Sequence, residues 1–89
     1  MPIAWPQAVD FLARSGVRKA ILFQLIIHPS TPSELAAIER KHVSHVSRAL
    51  GEMRRKGLVE YSLSRSRERY YKATDLGYMA MIVYMRNAR

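Results

Sequence analysis

Ser44, His45, Ser47 and Arg48 stand close together in the chain, and their types suit one kind of chemistry. At about 100° per residue, Val46, Ala49, Leu50 and Met53 fall on one stripe of a helix. Ser44, Ser47, Arg48, Gly51, Glu52 and Arg55 fall on the other side, so one face packs and the other is free. Hydroxyls and an imidazole donate and accept hydrogen bonds, and a guanidinium fork matches the O6 and N7 acceptors of guanine. These four residues are therefore candidates for reading base edges in a DNA groove, with Arg48 the strongest; its alternative role is contact with phosphate alone. Gly51, in the middle of the same face, is either a weakly constrained exposed position or a place where the helix backbone comes close to a duplex.

A second set suits phosphate. Thr31 and Ser33 lie at a helix N-terminus, and Lys41, His42, Arg54, Arg55, Arg65, Arg67 and Arg69 supply cationic or hydrogen-bonding side chains. Arg65, Arg67 and Arg69 crowd one hairpin tip, where a cation gains nothing from packing, and Lys72 follows. Contact with a nucleic-acid backbone accounts for that tip better than a solvated surface does. From Lys41 to Lys72 nine Lys or Arg stand against Glu52, Glu60 and Glu68, so most of the net charge of +8 lies in this stretch.

The elements that must hold these side chains are well punctuated. Thr31-Pro32-Ser33-Glu34 is a capping box with proline at the first helical position, and the helix runs to about Arg40 with Leu35, Ala36 and Ile38 inward. Lys41-His42-Val43 reads as a turn and Ser44 as the next N-cap. The second helix covers His45 to about Lys56 and stops at Gly57, a C′ glycine preceded by Arg54, Arg55 and Lys56, whose charges suit a helix C-terminus. Leu58 to Leu63 alternates, with Val59, Tyr61 and Leu63 on one side. Glu68 to Thr74 returns with Tyr71 and Ala73 inward, and Ser64-Arg65-Ser66-Arg67 joins the two strands without a glycine.

Flanking this stretch, Pro6 to Arg14 forms a short helix with Trp5, Val9 and Leu12 on one side, broken by Ser15-Gly16. Val17 to Ile27 is apolar almost all round, which predicts a helix buried in the middle of the domain, and Pro29 stops it. Thr74 can cap a last helix from Asp75 to about Asn87 whose apolar residues also cover every angle. A terminal helix of that kind leaves an apolar patch, and such patches mark partner surfaces. The expected partner is a second copy, through Trp5, Val9, Leu12, Tyr78, Met81, Ile82 and Met85, which would set two reading helices about 34 Å apart on a pseudo-palindromic site. A different protein, a hydrophobic ligand or a larger monomer core are the alternatives for that surface.

The fold class expected is mainly α with a small β-hairpin, a winged helix-turn-helix in one domain of 89 residues. Its parts are the N-terminal helix (1–15), the helix-turn-helix (31–57), the wing (58–74) and a C-terminal dimerisation helix (75–87). Absence of cysteine removes disulfides and thiolate metal sites. His42 and His45 lack a neighbouring carboxylate or thiolate to complete a metal site, so they read as hydrogen-bond donors to DNA, and His28 as a loop residue. The chain shows no phosphate-binding glycine loop, nucleophile motif or paired carboxylates, so neither catalytic residues nor a cofactor are expected. With no leader-like N-terminus and no apolar run of membrane length, the expected location is cytoplasmic and nucleoid-associated.

Four blocks occur in order: Thr31-Pro32-Ser33-Glu34-Leu35-Ala36, Ser44-His45-Val46-Ser47-Arg48-Ala49-Leu50, Lys56-Gly57-Leu58-Val59-Glu60 and Arg69-Tyr70-Tyr71-Lys72-Ala73-Thr74-Asp75-Leu76-Gly77. Together they resemble the MarR-like and ArsR-like winged-helix regulators, most of all the small archaeal members, over about half the chain. The resemblance implies a dimeric transcription factor with its second motif helix in the major groove and its wing on an adjacent minor groove or the backbone. ArsR-like metal sensing is unsupported without thiolates, and no effector pocket can be identified. Arg40 and Lys41 occupy turn positions where the pattern has glycine and an apolar residue. Two other functions fit a basic winged helix less well: an architectural protein that coats DNA, and a protein-interaction adaptor, which would have no use for the arginine-loaded hairpin.

Overall fold

The computed structural model describes residues 3–87, and the chain folds as five helices and one hairpin. Helix α1 is Trp5–Ala13, α2 Gly16–Ile27, α3 Pro32–Glu39 and α4 Val43–Arg55; β1 (Val59–Leu63) and β2 (Arg69–Ala73) form the hairpin, and α5 is Asp75–Asn87. The core is drawn from every helix and from the base of the hairpin. Leu12, Ile21, Leu22, Leu35, Val46, Leu50, Met53 and Leu58 are fully enclosed.

Local chemistry sets the boundaries. The capping box of α3 is formed in both directions: the Thr31 hydroxyl accepts from the Glu34 amide at 3.1 Å, and the Thr31 amide donates to the Glu34 carboxylate at 2.8 Å. Gly57 has φ 85°, and the Leu58 amide donates back to the Met53 carbonyl at 2.9 Å, so α4 ends on the glycine as its sequence requires. Ser15 caps α2 by accepting from the Arg18 amide. Thr74 joins three elements: its hydroxyl donates to the Gly57 carbonyl at 2.6 Å and accepts from the Gly77 amide at 3.1 Å, which seats the start of α5 against the end of α4.

The hairpin is antiparallel, with Val59 opposite Ala73, Tyr61 opposite Tyr71 and Leu63 opposite Arg69. Strand alternation holds, but Leu63 lies past the edge of the core and is exposed. A third segment joins the sheet: Ser30 exchanges two backbone hydrogen bonds with Tyr71, at 3.0 and 2.8 Å. This single-residue bridge pins the loop before α3 to the wing.

Three expectations about packing are corrected. Helix α2 is not enclosed all round; Ile21, Leu22 and Leu25 face the core while Phe23 and Ile27 are exposed. Ile38 turns outward because α3 is only eight residues long and packs through Leu35. Leu12 and Met81, expected at an intermolecular surface, are buried in the chain's own core, since α1 packs along α5 within the molecule. The same pairing leaves Trp5, Tyr78 and Met85 exposed and Val9 and Ile82 half-buried, and it exposes Met79 as well.

Candidate nucleic-acid interface

The turn between α3 and α4 is shorter than its sequence suggests. Arg40 takes the left-handed conformation (φ 55°, ψ 49°) and ends α3 in one step, and His42 is extended and serves as the N-cap of α4. Helix α4 therefore starts at Val43, and Ser44 belongs to its first turn instead of preceding it. No side chain caps this end, and the first turn has no acidic residue, so the positive end of the α4 dipole is uncompensated by protein charge. A left-handed conformation costs an L-residue about 1–2 kcal/mol, part of which glycine relieves. Arg40→Gly is accordingly expected to stabilise the fold by about 1 kcal/mol in chemical denaturation, while losing one cation from this surface.

Ser44, His45, Ser47 and Arg48 are all exposed on the first turns of α4, opposite the buried Val46, Ala49, Leu50 and Met53. His42 and His45 meet edge to face with ring centres 5.8 Å apart. A shallow cleft lined by Lys41, His45, Arg48 and Glu52, with the α2 cap Ser15 and Arg18 of α2, runs beside them. Glu52 is engaged there: its carboxylate lies 3.3 Å from the Arg18 guanidinium, which also donates to the Phe11 carbonyl and sits 3.8 Å over the Phe11 ring. Arg18 thus ties α1, α2 and α4 together, and the one acid on the polar face of α4 is neutralised from behind.

Gly51 lies further along the same face. A Cβ built there meets only the Arg55 Nη1 atom, at an ordinary 3.6 Å. Gly51→Ala is therefore expected to stabilise the protein by about 1 kcal/mol in thermal or chemical denaturation. A simultaneous fall in duplex affinity would mark this glycine as a point of close backbone approach.

The wing supplies the second cationic group. Arg65, Arg67 and Arg69 are exposed, and Arg67 adopts φ 65° at the tip, filling the left-handed turn position without a glycine. Ser64, Ser66 and Glu68 brace the tip through hydroxyl and carboxylate hydrogen bonds of 3.0–3.2 Å. Tyr71 foremost, and then Tyr61, raise the Arg69 pKa above its ordinary value. Arg54, at the flank of α4, pairs with no acid in the described structure and lies over the Tyr61 ring at 4.8 Å.

Two expected backbone contacts part company. Ser33 is exposed on the first turn of α3, but Thr31 is buried, its hydroxyl accepting from the Glu34 amide and its own amide donating to the Glu34 carboxylate, so Thr31 shapes the helix start and is not presented at the surface. Arg40, marked in the sequence as standing where the pattern has glycine but not as a DNA contact, is exposed on the turn directly after α3, next to Lys41. Its signal was available: a turn this short needs a left-handed residue, and no glycine is present to supply it.

No family model and no curated protein sequence matches this chain. Solved structures do. MepR from Staphylococcus aureus, described as a transcription regulator of the multidrug efflux pump MepA, superposes with a TM-score of 0.78 at 18% identity, over 92% of this chain and 65% of that one. A MepR variant bound to an oligodeoxyribonucleotide gives 0.77 at 18% identity, over 90% and 62%. A ZitR variant from Lactococcus lactis gives 0.74 at 18% identity, over 81% and 51%. These neighbours are MarR-family winged-helix regulators, and what the likeness shows for this chain is the winged-helix fold. The chain spans about half to two thirds of their length.

Proposed function

We propose that this winged-helix chain is a sequence-specific double-stranded DNA-binding transcriptional regulator, acting as a homodimer on a pseudo-palindromic site. The observation that carries the reading is the set of exposed cations on three successive elements, Arg40 and Lys41 on the turn, Arg48, Arg54 and Arg55 on α4, and Arg65, Arg67 and Arg69 on the wing, with the one α4 acid paired to Arg18. In this role α4 enters the major groove with Ser44, His45, Ser47 and Arg48 on base edges. Ser33, Lys41, His42, Arg54, Arg55 and the wing arginines hold phosphates. The protein is a binding module with no catalytic step, and it works where DNA is, in the cytoplasm on the nucleoid. Among the described residues no helix is long and apolar enough to cross a membrane.

The fold of MepR, a transcription regulator, and the oligodeoxyribonucleotide held by its variant support the assignment. The dimer is supported by exposed apolar side chains on the packed pair α1 and α5: Trp5, Tyr78, Met79 and Met85 are each about half exposed, with Val9 and Ile82 beside them. The interface in this reading keeps Trp5, Val9, Tyr78, Ile82 and Met85 and loses Leu12 and Met81 to the core.

Anisotropy of a labelled mixed-sequence duplex, titrated with protein at rising salt, tests the DNA reading. The logarithm of affinity should fall linearly with the logarithm of salt, by about 0.9 per phosphate neutralised. Failure to bind at low salt would overturn it. Sedimentation at high micromolar concentration should give a dimer, and a monomer would remove the two-fold arrangement.

A further inference from the structure

Two guanidinium groups from different elements converge on one aromatic ring. The Arg54 guanidinium carbon, from the last turn of α4, lies 4.8 Å from the Tyr61 ring centre, and that of Arg69, from β2, lies 4.6 Å from it. The two like charges can be separated by no more than the sum of those distances. Both side chains are exposed, and among the described residues neither forms a salt bridge; the neighbouring Glu60 is taken up by Lys72. Like charges gathered on one ring without an acid repel each other, weakly at exposed positions, and an anion that reaches both reverses the sign of that interaction.

The ring itself is fixed. Tyr61 is half-buried, pairs with Tyr71 across the hairpin and packs against its ring at 5.2 Å, while Tyr71 is buried and bridged to Ser30. A cation over an aromatic face is attracted by the ring quadrupole, so a fixed ring restrains two otherwise mobile side chains. Restraint before binding removes part of the ordering cost of binding. We propose that Tyr61 is a positioning residue that holds Arg54 and Arg69 as a two-pronged grip on one backbone phosphate of the duplex, locking the end of the reading helix to the wing.

This inference rests on the DNA-binding reading, and its test separates the two. Native protein, Arg54→Gln, Arg69→Gln and the double variant are titrated against the same mixed-sequence duplex, in the native and in the Tyr61→Leu background. Each single variant should bind more weakly, and the double variant should lose less than the product of the single losses, because both groups hold one phosphate. In the Tyr61→Leu background that coupling should vanish, with affinity down about threefold to tenfold, and Tyr61→Phe, which keeps the ring, should restore both.

Single losses that multiply independently in the native background overturn the shared grip. Coupling that survives Tyr61→Leu overturns the role of the ring. Should Tyr61→Leu fail to fold, the cycle between the two exposed arginines decides the shared grip, and Tyr61→Phe, if it binds as weakly as the arginine variants, overturns the ring's role. A native protein that binds no duplex would instead sink the functional reading itself.

Discussion

Gly77→Ala is expected to lower stability by about 3 kcal/mol or more, which for a domain of this size is a fall of about 12 °C or more in melting temperature. Glycine at this position is unusual by propensity, since it stands in the first turn of a helix that nothing else interrupts. The reason is proximity. A Cβ built on Gly77 would run into the backbone carbonyl oxygen of Leu58, with the Leu58 carbonyl carbon at 3.1 Å and the Leu22 side chain at 3.4 Å. Backbone cannot rotate away as a side-chain tip can. The Leu58 carbonyl is also the acceptor for the Thr74 amide, and Thr74 is the residue that joins the end of α4 to the start of α5.

Relief of the clash must therefore move α5 or break that junction. Differential scanning calorimetry measures the result directly, and an unchanged melting temperature would show that α5 does not sit where the fold places it. The contrast with Gly51 is instructive: both are helical glycines, yet alanine fits at one and collides at the other.

Arg48→Ala is the substitution expected to change recognition most. The side chain is exposed on the second turn of α4, and none of the described ion pairs engages it. It follows Ser44 by about one turn and lines the cleft of Lys41 and His45, at the end of the helix that the proposed docking would send deepest into a groove. A bidentate contact to guanine contributes about 1–3 kcal/mol of discrimination, so the variant should lose up to about a hundredfold in affinity for its best site and lose preference at one base position per half-site. Comparing native and variant proteins on a set of single-base operator changes measures this. Uniform weakening across all sequences would place Arg48 on phosphate instead.

Much of this architecture is written in short-range signals. Thr31-Pro32-Ser33-Glu34 and Gly57 mark their helix ends because capping bonds and a positive φ are local requirements, met within a few residues. The apolar stripe of α4 is equally legible, since Val46, Ala49, Leu50 and Met53 all recur at helical spacing and are all buried.

Tertiary choices were less visible. Ser44 looks like a better N-cap than His42 on side-chain preference, but Arg40 closes α3 in a single left-handed residue and moves the start of α4 forward. An all-round apolar helix such as α5 shows that some face is covered without showing by what. Within the chain α1 covers part of it, which draws Leu12 and Met81 inward. The Ser30–Tyr71 bridge and the convergence of Arg54 and Arg69 on Tyr61 join residues far apart in the chain, and periodicity cannot report such contacts.

The measurement that bears most directly on the central claim is selection from a randomised duplex library at two salt concentrations, with the bound fraction sequenced. A dimeric reader should enrich a pseudo-palindrome whose half-sites are about one helical turn apart, and the enrichment should survive at the higher salt, where phosphate contacts alone are weakened. Binding that collapses with salt and enriches no sequence would contradict a regulator that reads bases and leave a protein that coats DNA.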